Sequence, residues 1–524
     1  MNWTDLVQRI SGSKFVRRSA DKFFLAYARR RAAEVEQADL AHVQEQQLLR
    51  LILKAQGTQF GIDHDFRRIR SIADYRRLVP LRTYEQFWKD YWQPKFPRLA
   101  GVTWPDRIPY HALSSGTTTG TTKYLPISRD MLLSNRQAAL TMLSLYTLAY
   151  PRATLFSGRI FFLGGSTALT PLDDGSLAGD LSAIAALEVQ PWLRPYTFPP
   201  LELAHETNWE QKLDDLARAS LTLPITLISG VPSWLLLLFQ RLKQLAGKAT
   251  VAEVWPQLQV VVHGGIKFDP YRHLFRREVG SERVRFLESY PASEGFIAFE
   301  DPRYDLLRPI PDHGLFYEFV PVEELDQPHP TRHHLGEIEV GQQYAVVLTT
   351  CAGLWSYVIG DTVAFERRQP PLLRFTGRTK YFLSAFGEHL ISEEVEKALA
   401  EASQACGVDV VDFHIGPVFP EHAAEVGRHR ILAEFVQPPQ DRAAFVRAVD
   451  ASLCRINDDY RAHRAGDTSL RAPEVVVVRP GGFTAWMRAQ GKLGGQHKLP
   501  RMDNSGQLTA SLTAWLRDHG GIDE

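Results

Sequence analysis

Apolar positions along the chain change period several times, and each change predicts a different kind of element. Between Ala32 and Gln56 the residues Leu40, Val43, Leu48, Leu49, Ile52 and Leu53 recur at helical spacing with few breakers, and the first hundred residues read as mainly helical. Short β-branched and aromatic runs with Gly or Pro after them predict strands over 159–163, 225–229, 258–263 and 283–288. Helical stretches between them predict a largely parallel α/β sheet. Strands at 316–322 and 344–350 follow without long helices between them. Beyond them a helix is signalled from Ser392, the expected N-cap, with Glu393 and Glu394 in its first turn and Gly407 at its end. Strands at 408–415 and 431–436, a helix at 441–461 and a strand at 474–478 complete a compact α+β unit, with a boundary expected near 374–383.

Leu221 to Phe239 carries no charge and is long enough to test as a membrane span, but Pro224, Gly230 and Pro232 interrupt it. It reads as a buried strand, a turn and a helix beginning near Pro232, where a missing N–H costs nothing. Asp5, Arg9, Lys14, Arg17 and Arg18 have no apolar run between them, so no signal peptide is expected.

Composition narrows the picture. The 524 residues require more than one core, and 44% hydrophobic residues suit a globular protein. Sixty basic residues balance sixty acidic ones, which removes the general electrostatic case for nucleic acid or an anionic membrane. Cys351, Cys406 and Cys454 have neither metal spacing nor a disulfide pattern, consistent with a reducing cytoplasm.

Four segments carry candidate chemistry. Residues 114–123 read Ser-Ser-Gly-Thr-Thr-Thr-Gly-Thr-Thr-Lys, a run whose backbone and hydroxyl donors can converge on a polyphosphate while Lys123 adds charge. The spacing differs from a P-loop, because three residues separate Gly116 from Gly120 and Lys123 comes three later. The alternative is a Ser/Thr/Gly linker. At 290–295, Tyr-Pro-Ala-Ser-Glu-Gly follows an apolar run, and ligands of open α/β sheets bind beyond strand ends. There Tyr290 can stack on a base, Ser293 can bond a phosphate and Glu294 can hold Mg²⁺; a plain turn is the alternative. At 353–361, Gly-Asp ends a strand-like run and places Asp361 to accept from ribose hydroxyls, though Gly-Asp is also a common turn. At 494–501, Lys498 sits on a glycine-rich segment from which it can reach an α-phosphate or carboxylate, or simply face solvent.

In that order these segments resemble the Gretchen Hagen (auxin-responsive) family of acyl-acid amido synthetases, as a bacterial-type member. That family is a branch of the adenylate-forming superfamily, with acyl-CoA synthetases, luciferases and nonribosomal adenylation domains. The resemblance spans nearly the whole chain and includes Phe-Thr-Gly-Arg-Thr-Lys at 375–380. It implies an α/β fold: a large N-terminal α/β domain of adenylate-forming type (1–376), a hinge (377–384) and a smaller mobile C-terminal α+β domain (385–524). It further implies that ATP and Mg²⁺ are used to adenylate a carboxylic acid, whose acyl group passes to an amine, expected to be an amino acid. Ser114, Ser115, Gly116, Thr117, Thr118, Gly120 and Ser293 would hold the nucleotide phosphates. Tyr290 would stack on adenine, Asp361 would hold the ribose, Arg378 would fix the nucleotide and Glu294 would bind the metal. Lys123 and Lys498 would be the catalytic cations, Lys498 bridging carboxylate and phosphate.

Three positions depart from the pattern. Plant members carry arginines where this chain has Ser356 and Val358, and some carry Lys where it has His389. Other features read more plainly. His313, His329, His333 and His334, around Asp326, lack regular ligand spacing and suggest a polar loop. His263 suits either a pocket wall or a structural role, and Trp234 to Phe239 either an acyl pocket or core. A thiol ligase such as an acyl-CoA synthetase and a non-catalytic nucleotide-binding protein remain the alternatives. The acid, the amine and the oligomeric state are not legible.

Overall fold

A computed structural model describes residues 14–115, 122–164, 169–200, 203, 209–264, 268, 272–378, 382–383, 385–386, 390–419, 426–457, 460–461, 464, 470–492, 498–503 and 505–523. It divides into a larger unit, which runs to Phe375, and a smaller unit, which holds Gly360–Thr362 and the chain from Thr376 onward.

The larger unit is organised on an eleven-stranded sheet. One end is parallel: Thr197–Phe198, Arg159–Phe162, Ile225–Gly230, Val260–Gly264 and Arg285–Ala292 pair in that order. The two central ones are continuously buried over Ile225–Ile228 and Val260–His263, the signature of strands covered on both faces. The sheet is not largely parallel, however. From Arg285–Ala292 it continues antiparallel through Gly295–Asp301 and Leu306–Pro309, and Leu315–Pro321 pairs antiparallel with Gln343–Thr350. The short connections at 293–294 and 302–305 allow only antiparallel pairing, since a parallel return needs a crossover of about a dozen residues or more. The uncharged stretch at 221–239 divides into the strand Ile225–Gly230 and the helix Pro232–Ala246, with Pro232 at its first position. No described helix is long and apolar enough to cross a membrane.

The helical pattern expected over 32–56 is two helices, Lys14–Glu36 and Leu40–Ala55. Asp39 separates them by capping the second, its carboxylate accepting from the His42 amide at 3.2 Å. Buried charges tie the first helix to the sheet. Arg308, 3% exposed, reaches Glu36 at 2.6 Å and the fully buried Asp301 at 3.1 Å, and Arg31 forks onto Asp312 with two bonds of 2.6 Å.

The smaller unit carries a four-stranded sheet in the order Val410–Val418, Arg428–Phe435, Glu474–Val478, Ile522–Asp523. Alternation along the second strand supplies both faces. Ile431 and Ala433 pack with Val395, Leu399, Phe445 and Val449, whereas Leu432 packs with Phe483, Trp486, Leu512 and Leu516. Ser392 is the first residue of the helix Ser392–Cys406 rather than its cap, and the Glu394 carboxylate turns back to accept from the Ile391 amide at 3.0 Å. Gly407 closes that helix in the left-handed region, at φ 65°.

Two buried histidines make the larger unit acid-sensitive. His111 and His313 are 0% and 3% exposed, and burial holds both rings down at about 4 against an ordinary 6.5. As pH falls the unfolded chain protonates these rings first. Their contribution is therefore whole above about 6.5 and is lost toward 4, at up to about 1.4 kcal/mol per pH unit for each ring. The variant His111→Gln should show a shallower fall in urea midpoint between pH 7 and pH 4.5 than the unaltered protein. An identical fall would mean that the ring does not stay neutral.

Candidate active site

Residues 114–123 begin and end in paired strands. Tyr110–Ser115 runs antiparallel to Thr122–Ile127, with Ser114 opposite Lys123 and Ser115 opposite Thr122. The two ends of the intervening segment are thus one strand spacing apart, roughly 5 Å. Gly116, Thr117, Thr118 and Gly120 lie outside the described residues, as does the side chain of Ser115. Lys123 lies on the second of these strands. Its ammonium lies 5.2 Å from the centre of the Tyr84 ring and 4.0 Å from the Glu85 carboxylate. The Tyr84 hydroxyl accepts from the Tyr124 amide at 2.9 Å, which fastens the short helix Tyr84–Phe87 to the strand bearing Lys123.

The second segment differs in form from the expectation. Tyr290 does not follow a strand but lies within one, Arg285–Ala292, and Ser293 and Glu294 form the turn to Gly295–Asp301. The segment is a tight β-hairpin, with Ala292 paired to Gly295. Gly295 has φ 156°, and a Cβ there would stand 3.1 Å from the Leu315 side chain. The half-buried Tyr290 ring packs edge-on against Phe375 at 5.5 Å.

The third segment is also strand rather than strand end. Asp361 is buried in the middle of Tyr357–Arg367, and Gly360 before it takes φ 88°, a conformation that favours glycine. Tyr357 opens this strand and is 1% exposed. Burial, together with the nearby charges of Glu294 and Glu85, holds its pKa well above the ordinary value. Lys123, Tyr84 and Glu85 are thus in contact in the larger unit, and Glu85 and Glu294 lie near enough to Tyr357 for their charges to act on its phenol.

Ser356 has a different task from the arginine expected at its place. It is fully buried at φ 44°, and its hydroxyl meets Arg332 at 2.5 Å, Tyr75 at 3.0 Å and Glu318 at 3.1 Å. It belongs to a buried ion-pair network, and its strained backbone is held by those bonds.

In the smaller unit Lys498 is exposed, on a segment anchored by its neighbours. Arg501 binds Glu396 at 2.9 Å and Asp412 at 3.3 Å and stacks on Phe413, while the Pro500 carbonyl meets His414 Nδ1 at 2.5 Å. Arg378 ends the strand Leu372–Arg378, its side chain outside the described part, and Thr376 donates to Thr362 at 2.9 Å. His389 also lies outside the described residues.

The remaining candidates take structural places. His313 bonds the Phe296 carbonyl, the His333 backbone pairs with Phe319, and His334 approaches Glu337. His263 is buried and stacked on Phe268 at 3.6 Å. Leu235, Leu238 and Phe239 are fully buried core.

Models of the GH3 family N-terminal, central and C-terminal domains match residues 29–284, 309–378 and 393–507, most of the chain. The chain belongs to the GH3 family. This is the Gretchen Hagen family that the motifs resemble. Among curated GH3 proteins it is 25% identical over 337 residues to the indole-3-acetic acid-amido synthetase GH3.8 of Oryza sativa subsp. indica, covering 56% of this chain and 53% of the relative. It is 28% identical over 281 residues to the jasmonoyl-L-amino acid synthetase GH3.5 of Oryza sativa subsp. japonica, covering 48% and 47%. The chain thus spans about half the length of the curated relatives it matches. In fold it resembles the GH3.15 acyl acid amido synthetase, with TM-score 0.77, 17% identity and 94% and 96% of the two chains covered. A 2-hydroxyisobutyryl-CoA ligase in its postadenylation state follows at TM-score 0.59 and 13% identity, covering 93% of each chain. The mixed α/β architecture is that of GH3 and adenylate-forming enzymes.

Tyr84 and Glu85 were not legible as site residues. The only local signal is a capping box, in which the Thr83 amide donates to Gln86 at 2.8 Å, and it predicts a helix start without indicating chemistry.

Proposed function

We propose that this GH3 protein is an ATP-dependent acyl-acid amido synthetase that adenylates a carboxylic acid and transfers the acyl group to an amine, most simply an amino acid. The observation that carries the reading is Lys123, at the end of the hydroxyl- and glycine-rich segment, held against Tyr84 and Glu85 on the same side as the buried Tyr357, on which the charges of Glu85 and Glu294 both act. A lysine, a carboxylate and a phosphate-type loop suit an anionic polyphosphate and its counter-ion.

Glu294 fits Mg²⁺, which takes one or two carboxylates and completes its shell with phosphate and water oxygens; bound there, the ion would neutralise phosphate charge. Asp361 would hold the ribose, Tyr290 the adenine and Arg378 the nucleotide, with Ser114, Ser115, Ser293 and the 116–120 segment on the phosphates. In the first half-reaction a carboxylate oxygen attacks the α-phosphorus and pyrophosphate leaves. Lys123 and Lys498 offset the repulsion between the anions and the charge that develops on the phosphorus oxygens. In the second the unprotonated amine attacks the acyl carbon, AMP leaves and the amine loses its extra proton. Residues 385–524 would form the mobile domain and 377–384 its hinge, alternating between the two steps and excluding water. A cytoplasmic setting, where ATP is abundant and thiols stay reduced, belongs to the same reading.

Relatives carry names that span indole-3-acetic acid, jasmonoyl and 4-substituted benzoate substrates. A panel of such acids should therefore be tested for acid-dependent exchange of pyrophosphate into ATP with no amine present. Exchange with one class of acid, followed by AMP release with an amino acid and not with coenzyme A, is the expected result. AMP release with coenzyme A alone would make the protein a thiol ligase. ATP binding without exchange against the whole panel would sink the adenylation reading.

A further inference from the structure

A lysine that meets a polyphosphate needs a guide that does not cancel its charge. Its stem is flexible and its head strongly hydrated, so by itself it samples many directions. The Lys123 ammonium lies 5.2 Å from the centre of the Tyr84 ring, on a side chain 20% exposed. The Glu85 carboxylate stands at 4.0 Å, beyond hydrogen-bond length. A ring face attracts the cation through its quadrupole and leaves N–H donors over for phosphate oxygens. The ring itself is fixed on several sides. Tyr84 is 7% exposed, stacked near Trp88 at 5.9 Å and tilted against Trp92 at 5.8 Å. Its helix start is held by the Thr83 amide on Gln86 at 2.8 Å, and Arg82 before it is bound through its backbone to Ser356 and Val358 at 3.0 and 2.9 Å. Its hydroxyl accepts at 2.9 Å from the amide of Tyr124, the neighbour of Lys123 on the edge strand of the four-stranded sheet. Edge strands present amides that lack a ladder partner. Tyr84 therefore serves one such amide and also faces the side chain next to it.

We infer that Tyr84 is a positioning residue for Lys123: its ring face holds the ammonium at the end of the hydroxyl- and glycine-rich segment, ready for the oxygens of a nucleoside triphosphate. The inference rests on the proposed nucleotide site. The backbone that carries the lysine and the ring that directs it are set in one frame by a single residue. Ordering a long side chain at the moment of binding lowers affinity about two- to tenfold, and a ring that orders it beforehand removes that loss.

The test is calorimetric titration of the full chain with ATP and Mg²⁺, with no acid present, across a series of variants at position 84. Tyr84→Phe removes the hydroxyl and keeps the ring face. Phenylalanines bearing one, two and three fluorines, placed there by a suppressor tRNA, keep the shape and weaken the attraction for a cation step by step. ATP affinity should fall with each added fluorine, by about two- to tenfold over the series, while the thermal midpoint should not fall in the same order. Fluorinated tyrosines at the same position, which retain the bond to the Tyr124 amide, should reproduce the trend. In a Lys123→Met background both series should be flat, since the ring acts only through the lysine. Affinity independent of fluorination with the lysine present would overturn the positioning role and leave Tyr84 as packing. Affinity that rises with fluorination would also overturn it, because the ring would then be holding the lysine away from the nucleotide. Lys123→Met with unaltered ATP affinity would remove both the phosphate contact of Lys123 and the inference while leaving a nucleotide site in place. Failure of the unaltered chain to bind ATP at all would instead remove the nucleotide reading, and the inference with it.

Discussion

Lys498→Ala should cut acid-dependent exchange of pyrophosphate into ATP by about 10²- to 10³-fold and leave the thermal midpoint where it is. The two halves of that expectation have different physical causes. The ammonium is the proposed bridge between two anions that must approach, so its loss falls on the transition state of the first half-reaction. Lys498 is exposed, and the segment carrying it is held by Arg501 on Glu396 and Asp412 and by backbone bonds between Ile415 and the Arg501–Asp503 stretch. Substitutions at exposed positions usually change stability by less than about 0.5 kcal/mol, so the midpoint should move little. Supplying a preformed acyl-adenylate bypasses the affected step, and amide formation from it should proceed at close to the unaltered rate. Arg501→Ala should behave differently, lowering the midpoint of the smaller unit because Glu396 and Asp412 then lose a half-buried partner. Exchange that survives Lys498→Ala undiminished would remove this residue from the mechanism.

Much of the fold was legible because it is local. The runs at 225–229 and 474–478 are β-branched between breakers, and they are strands. Gly407 and Pro232 mark the ends they were expected to mark. The errors arose where a side chain from elsewhere in the chain, or a cap, outweighs periodicity. Asp39 splits a pattern whose apolar spacing continues unbroken across it, and Glu394 rather than Ser392 satisfies the amide before the second-domain helix. The segments with Tyr290 and Asp361 were expected at strand ends because glycine and proline usually end strands; here Pro291 sits beside the hairpin turn and Gly360 is accommodated within a strand. Pairings between distant residues could not be read at all. Nothing near Lys123 announces Tyr84 or Glu85, and the partners of Ser356 come from positions 75, 318, 332 and 349.

The network around Ser356 is where the largest stability effect is expected. Glu318 is fully buried, and Arg332 grips it through two bonds, Nε at 2.9 Å and Nη2 at 2.7 Å. The same guanidinium donates to the Val79 carbonyl at 2.7 Å and the Arg76 carbonyl at 3.2 Å. Its donors therefore serve a carboxylate, two carbonyls and the Ser356 hydroxyl, an arrangement that lysine could not reproduce with a single point charge. Arg332→Met keeps much of the volume but strands the carboxylate, with only Arg76 nearby at 3.7 Å. Removing one partner of a buried pair costs about 3–5 kcal/mol, so the urea midpoint of the larger unit, followed through the buried Trp355 and its neighbours, should fall by a wide margin. Glu318→Gln in the same chain should recover a large part of that loss, because the stranded charge is gone and an amide can still bond Ser356. Arg332→Met with an unchanged midpoint would show that Arg76 alone can neutralise Glu318.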